Sequence, residues 1–216
     1  MDVDAIGKPA PGGTALLIVD MINDLDFAEG RKMRPHVAAA ADAILRLRDA
    51  ADALDVPVIY VNDNYGHWHS ERSRIVEHCM RDDSIGREIV ARIRPREEDF
   101  FVIKSQFSGF YASSLSVLLP KLRANRLILT GIAADICVLF TAADAHMRDY
   151  GLWVPADAVA SGSAQRTEWA LDTMRNSMSA ETRPTTELHL DAWVDSADGP
   201  RELLPEGRRV AGAGAR

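Results

Sequence analysis

Residues 127–151, LILTGIAADICVLFTAADAHMRDYG, contain the pattern that indicates the fold class most clearly. It starts as an apolar run typical of a buried strand, crosses a short turn, and continues as the apolar pattern of a helix. A strand followed directly by a helix is the repeating unit of a parallel α/β fold. A cysteine, Cys137, falls in the first turn of this helix. It is either a small buried hydrophobe or the site of a thiolate nucleophile.

Apolar runs of the same kind recur along the chain. They are nearly continuous in apolar residues, which is typical of parallel strands covered on both faces, at residues 14–20, 56–62, 99–105 and 126–132. Residues 152–160 predict a fifth strand, and residues 185–190 a sixth at an edge. Because helical patterns separate the runs, we predict a doubly wound, three-layer α/β/α domain with a mostly parallel six-stranded sheet.

The helical patterns carry their own detail. Pro35 suits the first turn of a helix that follows the first strand, and residues 111–124 and 165–179 predict two more helices. After the thiol, the expected apolar stripe consists of Ile136, Phe140, Ala143 and Met147. Asp135 is expected as the N-cap, which places Cys137 at the second helical position, where the helix dipole favours an anion.

Domain organisation follows from the changes in composition. Residues 1–190 predict a single domain, and residues 191–216 lack periodicity and predict a mobile tail. Residues 66–96 are polar and charge-rich and predict a helical excursion over the edge of the sheet that carries the site.

Composition limits the classes of partner. The 216 residues are 47% hydrophobic and 26% charged, with a net charge of −7, which argues against nucleic acid or an anionic membrane surface as the partner. No apolar run approaches the roughly 20 residues that span a bilayer, and the first residues lack the pattern of a secretion signal. Two cysteines do not make a disulfide scaffold, so cytoplasmic residence is expected.

Three chemically useful side chains follow three of the predicted strands. Ligands of open α/β sheets bind at the carboxyl ends of the strands, where the sequence has Asp20, Lys104 and, after the turn, Cys137. Each has an ordinary explanation: a turn-forming aspartate, a solvated lysine, a core cysteine. Together they are suited to acyl transfer. Cys137 would be the nucleophile, Asp20 the general base and acid, and Lys104 the cation that keeps Asp20 ionised and stabilises the negative charge of the reaction.

At these residues the sequence resembles the isochorismatase-like cysteine hydrolases, which include nicotinamidases, N-carbamoylsarcosine amidases and streptothricin hydrolase. The matching pieces are LLIVDMINDL, FVIKSQFSGFYASSL, LILTGIAADICVLFTAADA and GLWVPADAVAS. The resemblance implies an Asp20-Lys104-Cys137 triad, a cis peptide between Ile132 and Ala133, and a homodimer or homotetramer. Backbone N–H groups of Ala133 and Cys137 are the expected oxyanion hole.

The resemblance also shows departures from the family. Many relatives have Gln at the position of Ile22. Nicotinamidases carry a metal site, and here Tyr65 stands where its first histidine is expected, which leaves Asp63, His67 and His69 as candidate ligands. We predict a polar lid there and no metal or other cofactor.

Residues beside the triad are the candidates for shaping the substrate pocket: Asn62, Phe107, Ser108 and Tyr111. Ser163 is interpreted as an ordinary helix cap rather than an anion site.

Cys137 indicates the reaction class. Relatives that cleave the vinyl ether of isochorismate typically lack this cysteine, because ether cleavage needs no acyl-enzyme. We therefore predict hydrolysis of a non-peptide C–N bond in a small amide, ureide or lactam through a thioester. The alternatives are isochorismatase-type ether cleavage and a catalytically silent binding protein on the same scaffold.

Overall fold

A computed structural model describes residues 9–66 and 71–198. Its centre is a parallel sheet of six strands in the order β3-β2-β1-β4-β5, with β6 also paired to β4. The strands are β1 (Thr14–Val19), β2 (Val58–Asp63), β3 (Phe100–Lys104), β4 (Arg126–Ile132), β5 (Gly151–Trp153) and β6 (Val159–Ala160). The predicted six-stranded, mostly parallel sheet is confirmed.

The strands are apolar throughout because both faces of the sheet are buried. In β1, Leu16 and Ile18 belong to one core, while Leu17 and Val19 belong to the other. Successive side chains of a strand point to opposite faces. An alternating pattern would have indicated one exposed face, and the continuous run correctly predicts two covered ones.

Helices cover both faces of the sheet and complete the three layers. The first core packs against α1 (Gly30–Ala53), α2 (Arg72–Cys79) and α3 (Arg87–Ile93). The second core packs against α4 (Leu115–Lys121), α5 (Leu139–His146) and α6 (Ala164–Met178). The excursion predicted over residues 66–96 contains α2 and α3, although residues 67–70 lie outside the described part of the chain.

Two of the predicted strands need correction. The predicted fifth strand is broken at Pro155 into β5 and β6, which pair with opposite ends of β4. Proline has no N–H to give to a ladder, so the chain turns between the two pieces. The predicted strand at residues 185–190 is wrong, since most of this segment is a turn that leads into a helix. The sixth strand is therefore β6.

Two of the predicted helical details also differ. Helix α1 begins at Gly30, so Pro35 lies inside it rather than in its first turn. In the helix after the thiol, Phe140 and Met147 are 50% and 71% exposed. The residues that α5 buries are Thr141, Ala142 and Ala145.

The predicted tail starts with a helix. Helix α7 (Leu190–Asp195) places Trp193 against Trp153, with ring centroids 5.7 Å apart. The guanidinium of Arg126 lies 3.8 Å from the Trp193 ring centroid, and it also donates to the Trp193 carbonyl at 2.6 Å. Cation–π and main-chain contacts therefore fix these residues to the sheet. Residues 199–216 lie outside the described range.

None of the helices within the described ranges combines the length and the apolar character that crossing a membrane requires.

Candidate active site

The carboxylate of Asp20 stands at the end of the central strand. Asp20 directly follows β1 in a left-handed conformation, with φ of 50°, and its N–H still bonds the Val61 carbonyl at 3.0 Å. Its Oδ1 accepts the backbone N–H of Asp63 at 2.7 Å. A non-glycine residue at positive φ is uncommon and costs energy. This conformation ends the strand and aims a buried carboxylate across the sheet edge.

The ammonium of Lys104 lies beside the Asp20 carboxylate. Lys104 is the last residue of β3, and β2 separates β3 from β1. The distance between β3 and β1 is about 9.6 Å, which a lysine and an aspartate side chain span together. The Lys104 ammonium lies 2.9 Å from Asp20 Oδ2 and 3.4 Å from Asp63 Oδ2. It also donates to the Gln106 carbonyl at 3.1 Å. The side chain is fully buried, so these acceptors replace its lost hydration.

The thiol of Cys137 joins Asp20 and Lys104 from the turn that follows β4, the strand that pairs with β1 on the side away from β2. Its Sγ lies 3.5 Å from the Lys104 ammonium, and Asp20 is close enough to raise the pKa of the thiol. Cys137 lies in a single π-helical turn, Ala134–Val138, in which the Val138 N–H bonds the Ala133 carbonyl at 3.2 Å. Single π-turns are frequent at functional sites. The structure thus brings together the three side chains that the sequence proposes as a triad.

Burial determines the protonation of the group. It raises the pKa of the Cys137 thiol to about 12, aided by Asp20 and opposed by Lys104. It also raises the pKa of Asp20, with Lys104 as the main opposing influence. Burial alone would lower the pKa of Lys104, but Asp20 and the sulfur outweigh it and the pKa is raised. The thiol is therefore neutral in the resting site, and the charged ammonium of Lys104 is what opposes the protonation of Asp20.

This result corrects the expected origin of the thiol's reactivity. The N-cap is Ala133, not Asp135, and Cys137 is the fourth residue of the turn rather than the second. The effect of a helix dipole falls off within the first turn. Here it does not compensate for burial, so the helix start does not produce a resting thiolate. The proton of the thiol has to be removed by a neighbouring base, and Asp20 is in contact with it.

Asn62 holds the loop after β1 rather than lining the cavity. It is fully buried, its Oδ1 accepts the Ile22 N–H and its Nδ2 donates to the Ile22 carbonyl, both at 3.1 Å. The Tyr65 hydroxyl donates to the same carbonyl at 2.6 Å. These contacts give Ile22 and Tyr65, two departures from the family pattern, a shared structural role next to Asp20.

Asp63 is the described member of the candidate metal set. One of its oxygens faces Lys104, and the other accepts the Tyr65 N–H at 2.7 Å. The other two candidates, His67 and His69, lie outside the described residues. Among the residues that the structure describes, no three His, Cys, Asp or Glu side chains are grouped as metal ligands. Asp63 instead provides a second carboxylate to the buried ammonium.

The other predicted substrate contacts point elsewhere. Ser108 donates to the Asp144 carboxylate and caps the Phe110 N–H at 3.1 Å. Phe107 and Tyr111 are 54% and 61% exposed, and Phe107 contacts the Phe140 ring. None of them lines the cavity beside Cys137, because their segment turns onto the outer face of α5.

A cavity of about 580 Å³ opens beside the thiol. Its described lining joins the loop after β1, the turn after β4 and the start of α6. Apolar contacts come from Phe27, Met33, Tyr65, Ile132, Ala133 and Ile136, and polar ones from Asp20, Asn23, Glu29, Asp63, Asp135 and Arg166. A cavity of about 660 Å³ between α1 and residues 185–191 contains none of the three clustered residues. The peptide bond between Ile132 and Ala133, at the wall of the first cavity, is cis.

The mouth of the cavity carries an ion-pair network that sequence reasoning missed. Arg166 Nε lies 2.6 Å from Asp135 Oδ2, and its Nη1 lies 3.1 Å from Glu29 Oε2. Ser163 caps α6 by accepting the Arg166 N–H at 3.3 Å, as the sequence predicts. Arg166 lies inside α6 rather than at the end of β6. A search for chemically useful residues at the ends of predicted strands therefore does not find it.

Comparison with known proteins identifies the sequence family. Residues 14–187 match the isochorismatase domain. The uncharacterized isochorismatase family protein YaaI of Bacillus subtilis is 42% identical over 80% of this chain and 93% of its own length. The isochorismatase of the same organism is 28% identical over 76% of this chain, which spans only 53% of that protein. Among solved structures, N-carbamoylsarcosine amidase from Thermoplasma acidophilum is 30% identical, with a TM-score of 0.63 over 82% of this chain and 98% of that one.

Proposed function

The chain belongs to the isochorismatase family, and on that premise we propose that it is a cysteine hydrolase of a small amide, ureide or lactam. Similarity to a solved amidase supports the class, hydrolysis of a C–N bond other than a peptide bond. The observation that carries the proposal is the position of the Lys104 ammonium, which lies 3.5 Å from the Cys137 sulfur and 2.9 Å from the Asp20 carboxylate. Cleavage of a vinyl ether needs no acyl-enzyme, so that reaction would not use this thiol.

The first half of the reaction forms a thioester. Asp20 takes the thiol proton as the sulfur of Cys137 attacks the carbonyl carbon, because the thiol's raised pKa prevents it from ionising alone. The carbonyl oxygen becomes an oxyanion that backbone N–H groups of Ala133 and Cys137 are proposed to bind. Asp20 then gives the proton to the leaving nitrogen, the C–N bond breaks, and ammonia or an amine departs.

The second half releases the acid. Asp20 removes a proton from water as its oxygen attacks the thioester carbon, the C–S bond breaks, and the thiol regains its proton. Lys104 stays protonated through both halves, because the carboxylates of Asp20 and Asp63 surround its ammonium. It holds Asp20 in position and offsets the charge that develops on sulfur. The cycle uses water and no cofactor, and cytoplasmic residence remains our proposal for its location.

Ammonia release from a panel of primary amides and ureides, together with ring opening of lactams followed by the gain of one water in mass, tests the proposal. Wild-type protein should release ammonia from some members, and Cys137→Ala should release none while keeping the wild-type melting curve. Cys79→Ala, which changes the buried cysteine at the end of α2, is the matched control and should retain turnover. Isochorismate is the ether arm of the same panel. Ether cleavage that survives in Cys137→Ala, without ammonia from any compound, would refute the amidase and favour the isochorismatase alternative.

A further inference from the structure

We propose that the substrate is an uncharged or amine-bearing molecule rather than one that carries a carboxylate, an inference that rests on the proposed function. The described wall of the cavity holds more carboxylates than cations at both of its ends. The argument concerns Glu29 and Arg166 above all, because they determine the charge that a ligand meets on entry.

The inner end of the cavity has one cation for two carboxylates. Lys104 faces both Asp20 and Asp63, at 2.9 and 3.4 Å. Its ammonium is fully buried and has further acceptors in the Gln106 carbonyl and Cys137. An ammonium has only three N–H donors. A carboxylate on the substrate would compete with these acceptors and would add a third negative charge beside the thiol.

The mouth repeats the same ratio of charges. Arg166 is held between Asp135, whose side chain is 7% exposed, and Glu29, whose side chain is 56% exposed. Asp135 is fixed further by the Ser161 hydroxyl at 2.5 Å. Gly162 makes room for the network, because a Cβ there would meet Glu29 Oε2 at 2.9 Å. The two guanidinium nitrogens of Arg166 that form these ion pairs both face carboxylates of the protein itself.

The charges sum to an excess of two negatives around one small cavity. Four carboxylates (Asp20, Glu29, Asp63 and Asp135) face two cations, counted over the described lining and its buried lysine. Between them the wall is apolar, which lowers the local dielectric and strengthens every Coulomb interaction. Glu29 keeps half of its side chain in contact with solvent, so it is the carboxylate that a substrate ammonium can reach. An amine at the far end of an amide therefore fits this cavity, and a carboxylate there is repelled.

Charged alkylating reagents measure this selection without knowledge of the substrate. Iodoacetamide, iodoacetate and 2-bromoethylamine carry zero, negative and positive charge, and mass spectrometry of the Cys137 peptide gives each rate relative to N-acetylcysteine. We expect the normalised rate with iodoacetate to be about tenfold or more below that with iodoacetamide, and the rate with 2-bromoethylamine to be equal or higher. A normalised iodoacetate rate that matches or exceeds the others, or no labelling of Cys137 by any reagent, overturns the proposal.

Variants at the mouth assign the effect to its charges. Glu29→Gln should raise the relative rate with iodoacetate several-fold, whereas Arg166→Gln should lower it. Glu168→Gln removes one exposed carboxylate from α6 outside the cavity lining, and it should leave the ratio of rates unchanged. An equal effect of Glu168→Gln would mean that only the net charge of the protein matters, and it would refute the role of Glu29.

Matched amides separate this proposal from the proposed function. The three are butanamide, 4-aminobutanamide and succinamic acid, and ammonia release gives kcat/KM for each. Selective labelling without ammonia from any amide would refute the amidase and leave the charge selection standing. Fastest release from succinamic acid would refute the charge selection and leave the amidase standing. We expect the acid to be the slowest of the three.

Discussion

At the scale of single residues, the raised pKa of Cys137 means that the proposed attack depends on a base beside the thiol and not on the start of the helix. A cysteine near a helix start is commonly a lowered-pKa nucleophile. Here burial raises the pKa of Cys137 to about 12. The same burial raises the pKa of Asp20, which makes it a stronger base than a solvated aspartate. We therefore expect the reactivity of the thiol to depend on Cys137 and Asp20 together.

The pH dependence of turnover tests this pair. The proposed mechanism requires ionised Asp20, so kcat/KM should fall as the pH drops through the pKa of Asp20. Burial raises this pKa and should move the acidic limb above the ordinary value of about 3.9. No rise from thiol ionisation is expected near pH 8.5, because the thiol's pKa is about 12. The measurement is kcat/KM against pH on any amide that the enzyme hydrolyses.

An amide variant of the base provides the comparison. Asp20→Asn should lower kcat/KM by about 10²- to 10⁴-fold and abolish the acidic limb. Asp26→Asn, at an exposed position of the same loop, should change neither. An unchanged limb in Asp20→Asn would assign it to another group.

The sequence predicted which side chains meet at the sheet edge but not which ones line the cavity, for a physical reason. Asp20 and Lys104 lie at or directly after strand ends, where the fold alone determines their direction. The side chain of Asn62, by contrast, forms its hydrogen bonds with the backbone of Ile22 instead of facing the cavity. Whether a side chain near a strand end faces the cavity or a neighbouring loop depends on packing across the loops, which no local pattern encodes.

At the scale of elements, the neighbouring strands β1 and β4 approach so closely at the site that only glycine fits. Gly131 has φ of 107°, and a Cβ there would lie 2.0 Å from the Val19 carbonyl oxygen. Val19 directly precedes Asp20, and Gly131 precedes Ile132 and the turn that carries the thiol. The relative position of Asp20 and Cys137 therefore depends on this contact between two backbones.

Replacing this glycine should separate the two strands. We expect Gly131→Ala to lower the free energy of unfolding by about 3 kcal/mol or more, because the backbone of β1 must move. Gly66→Ala is the control, with a positive φ of 75° and nothing within 4 Å of the added Cβ. It should cost only about 1 kcal/mol. Urea unfolding measures both, and equal losses would contradict the steric account.

The same scale shows where element prediction succeeds. The first four runs were predicted to within two residues at either end, because two buried faces leave an unambiguous apolar signature. The last strand was misplaced. A strand of two residues such as β6 owes its existence to pairing with β4, and so does not have a pattern of its own.

At the scale of the whole molecule, the layer of α4, α5 and α6 exposes large apolar side chains. The rings of Phe107 and Phe140 are in contact, with their centroids 5.7 Å apart, and each side chain is about half exposed. Tyr111, Val117, Met147 and Trp169, on the same layer or the loop before it, are also exposed. Exposed apolar patches of this kind mark interaction surfaces. They are compatible with the homodimer or homotetramer that the family resemblance implies.

Light scattering tests this assembly. The protein should elute with the mass of two or four chains, and Phe140→Asp should shift it to one chain by placing a charge in the interface. Ala39→Asp, at an exposed position of α1 on the opposite layer, should leave the mass unchanged. A single-chain mass for the wild-type protein would contradict the prediction.

Partitioning to hydroxylamine tests whether Cys137 carries the acyl group between substrate and water, as proposed. An amide and an ester with the same acyl group are hydrolysed in the presence of hydroxylamine, and the ratio of hydroxamate to acid is measured for each. A shared thioester at Cys137 predicts the same ratio from both, since their leaving groups have already departed. Different ratios, or acid alone while ammonia is still released, would show that water attacks the substrate directly and would contradict the account.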